Sequence, residues 1–124
     1  VLDYQPDQWI DTSEYGNAGM VANYLQNKAL KTCTIGTRGA SGWYPDGMEE
    51  IILGTIHYQA LLDQKISPGE VITVYFAENA PKGSIENEVG IPIFEVKSNT
   101  TEAKKCRAAA EEVLATLRRA DQPK

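Results

Sequence analysis

Three kinds of side chain in this sequence are equipped for chemistry: one histidine, two cysteines and a set of carboxylates. His57 could serve as a general base with Cys33 as nucleophile, the pairing that activates a thiol. Nothing in the spacing places the two together, and a lone histidine reads first as a solvated side chain. A single histidine makes no His-based metal cluster, and Cys33 and Cys106 match no metal motif. No GxSxG elbow is present, and Ser41 within Gly39-Ala40-Ser41-Gly42 reads as turn chemistry. The carboxylates are Glu49 with Glu50, Glu78, Glu86 with Glu88, and Glu95. Paired acids do acid–base work when burial splits their pKa values. Glu86 and Glu88, two residues apart, share a strand face and read as solvent-side acids. Glu95 shares a face with Ile91 and Ile93. In a pocket it would select a cation; at a rim it would be solvated.

The aromatic residues form a second group. Trp43, Tyr44, Tyr58, Tyr75, Phe76 and Phe94 all fall between residues 31 and 96. Rings with a few polar groups can line a small-molecule pocket. They can equally fill the core between a sheet and its helices.

These residues need elements to position them. Asp11 or Thr12 could cap a first helix running to about residue 28, although Gly16 and Gly19 weaken it. Lys31 to Thr37 reads as a strand, followed by a glycine-rich loop through Gly47. That loop has neither a Gly-Lys-Ser/Thr ending nor a GxGxxG pattern, so it is no phosphate cradle. Asp46 and Glu49 stand at capping-box spacing, and Met48, Ile52, Ile56 and Leu62 recur with a helical period, which predicts a central helix to about Gln64. His57 would then project away from Met48. Ser67-Pro68-Gly69 closes that connection. Residues 70–78 alternate as a strand, and 85–96 form another, with Pro92 arguing for an edge or a bulge. Residues 101–119 form the clearest helix, with Ala103, Cys106, Ala110, Val113, Leu114 and Leu117 on one stripe.

At 124 residues the chain is one domain, 1–124, and its 42% apolar content supports a real core. The balance is acidic, 17 Asp+Glu against 12 Lys+Arg. Residues 1–99 carry net −7 and residues 100–124 net +2. Nucleic-acid binding is disfavoured, since phosphates require clustered cations. The basic tail could meet an acidic partner or the acidic body of a second copy. No apolar run is long enough for a membrane span. Two free thiols in a cytosolic protein are the default; in an exported one, a Cys33–Cys106 disulfide would tie a strand to the last helix. The start at Val1 fits a processed or trimmed chain.

Residues 31–96 resemble one half of a gyrase-inhibitor-like (GyrI-like) small-molecule-binding domain. The resemblance rests on Val71-Ile72-Thr73-Val74-Tyr75-Phe76, Glu78, Glu86-Asn87-Glu88 and Val89-Gly90-Ile91-Pro92-Ile93, with Thr37-Arg38-Gly39 to Tyr44 similar to the family's first strand and loop. It implies a strand–helix–strand–strand half-module that binds small molecules. The family carries two such halves; here there is one, which a homodimer would complete. The family's buried glutamate has Thr73 in its place, which puts cation recognition in doubt.

The expected fold is therefore α+β: a small antiparallel sheet packed by a central helix, with further helices at the N- and C-termini. The expected function is non-enzymatic binding of a small apolar or amphipathic ligand by Trp43, Tyr44, Tyr58, Tyr75, Phe94 and Glu95, without cofactor or metal. The alternatives are an interaction module (inhibitor, immunity or adaptor protein) acting through its surface, and a small hydrolase using Glu95, Glu78 or His57.

Overall fold

The computed structural model describes residues 2–12, 14–15, 21–22, 24–39, 46–80 and 92–118. Along the chain these form β1 (Trp9–Asp11), β2 (Glu14–Tyr15), β3 (Val21–Ala22), β4 (Tyr24–Asn27), β5 (Thr34–Gly39), β6 (Glu49–Leu53), β7 (Ile56–Ser67), β8 (Glu70–Ala77), β9 (Pro92–Asn99) and α1 (Ala103–Leu114). Seven strands make one sheet in the order β1-β4-β5-β9-β8-β7-β6, with β2 and β3 as a separate ladder. Every pairing is antiparallel. After β5 the chain crosses to the far edge, and the β6–β9 meander returns to pair β9 with β5.

This architecture corrects the α+β expectation. Among the described residues the protein is mostly an antiparallel sheet with one short helix; strands stand where the central helix was expected, and the described residues of the expected N-terminal helix lie in strands or outside any element. The sequence between Glu49 and Leu62 supports two periods at once. The helical one puts Ile52 on a buried face, yet Ile52 is 56% exposed. The period of two prevails in β7, where Ile56, Tyr58 and Ala60 are buried and His57 is exposed. β-Branched Ile51, Ile52, Thr55 and Ile56 favour strands. Gly54 supplies the turn: Leu53 pairs with Ile56, and Gly54 adopts φ +62° in the Gly-X arrangement of a type II′ hairpin. The strand–helix–strand–strand order implied by the family resemblance thus has a β-hairpin in place of its helix.

At the N-terminus, Trp9 is buried and pairs with Asn27, and residues 9–11, 14–15, 21–22 and 24–27 lie in ladders rather than in a helix. Asn27 ends β4: its Oδ1 accepts the N–H groups of Ala29 and Leu30 at 3.0 and 2.8 Å, building the turn that leads to Cys33. The expectation of an edge or bulge at Pro92 also changes. β9 lies between β5 and β8, and Pro92 is its first residue, a position where proline is accepted within a sheet. The Ser67–Glu70 turn holds Pro68-Gly69 as read from sequence, with Gly69 at φ +83°.

One face of the sheet packs on α1. Ile35, Tyr58, Ala60, Tyr75, Phe94 and Val96 meet Cys106, Ala110, Val113 and Leu114 in a single cluster. Each large aliphatic side chain so buried contributes about 1.5–3 kcal/mol. The helix is shorter than the expected 101–119, but its stripe is the expected one, and Leu117 beyond its end is also buried. Three ties hold this layer. Cys33 and Cys106 form a disulfide with Cα atoms 5.5 Å apart and a sequence separation of 73. Closing a loop of that size removes unfolded-state entropy worth about 4 kcal/mol. Arg118 donates to both carboxylate oxygens of Asp3 at 2.8 and 2.9 Å. Thr116 Oγ1 accepts the Asp3 N–H at 2.8 Å.

The β6–β7 turn backs onto the C-terminal end of α1, where a Cβ on Gly54 would stand 3.1 Å from the Ala115 carbonyl oxygen. Gly54→Ala therefore strains both the turn and this contact. It is expected to lower stability by more than about 1 kcal/mol in urea unfolding, whereas an unchanged midpoint would contradict the hairpin.

Candidate functional site

The structure distributes the sequence-nominated residues over three places. Trp43 and Tyr44 lie outside the described residues. Tyr58, Tyr75 and Phe94 come together, but in the core: each is fully buried beneath α1. Their rings meet edge to face, with Tyr58 centroids 5.9 Å from Tyr75 and 6.1 Å from Phe94. Such pairs add about 0.5–1.5 kcal/mol beyond area burial. Both phenols are satisfied by the helix. Tyr58 Oη donates to the Leu114 carbonyl at 2.5 Å, and Tyr75 Oη to Glu111 Oε2 at 2.7 Å. Burial pushes both hydroxyls well above the ordinary tyrosine range, and the bond to Glu111 adds to the shift at Tyr75.

Glu95 is separated from these rings. It pairs with Val74 and Gly36, so by strand alternation its side chain is on the opposite sheet face from Phe94. The catalytic candidates do not converge either. Cys33 is disulfide-bonded and offers no thiolate. His57 is exposed on β7, with Nδ1 3.9 Å from Glu50 Oε2. Glu78 is exposed beyond β8, meeting His57 through its backbone: the Glu78 N–H donates to the His57 carbonyl at 3.0 Å. Glu86 and Glu88 lie outside the described residues. Among the described residues no group of three or more His, Cys, Asp or Glu side chains could hold a metal ion.

A polar cluster that sequence reading missed sits where β7 bulges. The β7–β8 register shifts between Leu61 and Gln64, and Asp63 there adopts φ +49°. Its N–H donates to Thr73 Oγ1 at 3.0 Å, and its carboxylate accepts Arg107 Nη1 at 2.8 Å. The bulge is thus held from β8 and from α1 together. Asp63, Thr100, Lys104 and Arg107 line an open depression of about 390 Å³ beside it. A second, of about 410 Å³, lies at the β7–β8 turn near Lys65 and Ile66.

The other missed feature is the outer side of β6. Leu53 and Ile56 flank a two-residue turn, so their backbone groups face each other across it. Hydrogen-bonding direction alternates along the strand, so Ile51 also faces β7, while Glu50 and Ile52 present N–H and C=O outward. β7 agrees: the His57 carbonyl accepts the Glu78 N–H and its N–H donates to Asn79 Oδ1, both on the β8 side. β6 ends the seven-strand order. The sequence signal for this edge was Gly54-Thr55 between two β-branched runs, which the apparent helical period concealed.

No protein-family model, curated protein or solved structure matches this chain. Among the described residues no helix is long and apolar enough to cross a membrane.

The buried phenols set a pH dependence. Below about pH 10 they are protonated in folded and unfolded chains alike, so their contribution is fully present. Above it the unfolded chain loses these protons first, and stability falls by up to about 1.4 kcal/mol per pH unit per tyrosine. Tyr58→Phe and Tyr75→Phe should each show a shallower decline between pH 9 and 11 in urea unfolding; slopes equal to that of the unaltered protein would contradict this.

Proposed function

We propose that this domain is a non-enzymatic interaction module acting through its surface. The observation that supports this reading is the commitment of Tyr58, Tyr75 and Phe94 to the core. All three are 0% exposed, so these three of the rings nominated for ligand capture have no face left to offer a ligand. Exposed large apolar side chains instead stand on the rim of the sheet: Ile52 on β6, Ile10 on β1 and Ile66 near the end of β7. Edge strands and their exposed side chains are where proteins add partner chains. The hydrolase alternative draws no support from Glu95, which pairs with Val74 and Gly36 and stands apart from the neighbouring His57 and Glu78. The Cys33–Cys106 bond favours an oxidising compartment as the setting for this role.

The test is a comparison on the oxidised protein. A panel of apolar and amphipathic small molecules should leave its melting temperature unchanged. Crosslinking in source extract should yield a discrete protein adduct that competes with excess uncrosslinked domain. Stabilisation by a small molecule with no protein adduct would overturn the reading.

A further inference from the structure

We propose that the outer side of β6 is a strand-addition site. It would accept an extended partner segment in which three apolar residues adjoin two basic ones. This rests on the surface-interaction reading and specifies its place and chemistry.

Three observations carry it. First, β6 ends the sheet, and the backbone N–H and C=O groups of Glu50 and Ile52 point outward. Neither residue has a partner strand on that side among the described residues. Main-chain bonds to such groups supply the affinity in strand addition. Second, the side chains are ordered in blocks. Glu49 and Glu50 are exposed at one end; Ile51 and Leu53 are half-buried and Ile52 is 56% exposed at the other. A segment lying alongside would set basic residues against Glu49 and Glu50 and apolar ones against Ile51, Ile52 and Leu53, giving cross-strand pairs of the stabilising kind. Third, the surroundings are acidic. No lysine or arginine occurs between Arg38 and Lys65, while Asp46, Glu49 and Glu50 stand in or just before β6. The edge therefore attracts cations.

The same order disfavours a second copy of this chain as occupant. Antiparallel pairing of two β6 strands about Ile51 would set Glu50 against Ile52 and bring the two acidic edges together. β1, the other end strand, is only three residues long. Antiparallel addition would continue the pattern of the whole sheet, with the partner's apolar triplet N-terminal to its basic pair.

The probe is a blocked synthetic peptide, Gly-Val-Ile-Val-Lys-Arg-Gly, titrated into the oxidised full chain by fluorescence anisotropy at low salt. Its control is the same peptide N-methylated at alternate residues on the hydrogen-bonding side, which keeps charge and apolar content. Two variants of the protein complete the test. Ile52→Pro removes an outward N–H that no ladder bond uses, and proline is accepted on edge strands. Glu50→Lys reverses the local charge. Unfolding curves for each variant establish that it is folded. We expect saturable binding of the parent peptide, weakened at least tenfold by N-methylation, by Ile52→Pro and by Glu50→Lys. No binding at 1 mM peptide, or equal binding of the N-methylated control, would overturn the proposal. So would undiminished binding by both folded variants. If the crosslinked protein partner is still captured by Ile52→Pro, the surface reading stands and only strand addition at β6 fails; if no partner is captured by any form, the surface reading itself fails.

Discussion

The seating of α1 on one face of the sheet is the constraint from which the rest of this structure follows. Hydrophobic contact supplies most of the attraction, through Ala110, Val113 and Leu114 over the β7–β9 strands. Contact alone would leave the helix free to slide or roll. Two phenols remove that freedom. Tyr58 bonds to the carbonyl of Leu114, one of the end carbonyls for which a helix has no internal partner, and Tyr75 bonds to Glu111 one turn earlier. The Cys33–Cys106 bond fixes the helix near its other end. The residues that secure the helix are the same rings that a sequence reader would assign to a ligand. Their structural duty removes them from the surface.

With that face filled, function is displaced to the periphery. The helix passes its constraint outward through Arg107 to the β7 bulge, and through Arg118 and Thr116 to the N-terminal segment. Charge is distributed unevenly around the same frame. Lys104, Lys105 and Arg107 lie in the first half of α1 and Lys65 on the far part of β7, while Glu111 and Glu112 follow in the last turn of α1; β6 carries acids and no base. A domain with opposite charge on different sides orients an approaching partner before contact.

Some of this was legible in the sequence. The Ala103-to-Leu117 stripe predicted the terminal helix and its buried side, because six apolar positions recur at one helical spacing with no competing pattern. The alternation of residues 70–78 predicted β8, which ends one residue earlier, at Ala77. The central segment was not legible in the same way. Met48, Ile52 and Ile56 satisfy a period near four, while Ile56, Tyr58 and Ala60 satisfy a period of two. Local sequence does not choose between them, and tertiary packing of β7 against β8 does. Gly54 was the residue able to arbitrate, since a glycine inside a helix costs about 1 kcal/mol but suits a two-residue hairpin turn. The candidate site was hidden by the same ambiguity: an edge strand cannot be recognised inside a segment read as helix.

Amide hydrogen exchange along β6 tests the central claim most directly, because it reads the backbone at single-residue resolution. The account predicts alternation: the N–H groups of Ile51 and Leu53, bonded to β7, are protected, whereas those of Glu50 and Ile52 exchange as exposed amides do. Uniform protection from Glu50 through Leu53 would contradict it, since that pattern belongs to a helix or to an edge already covered.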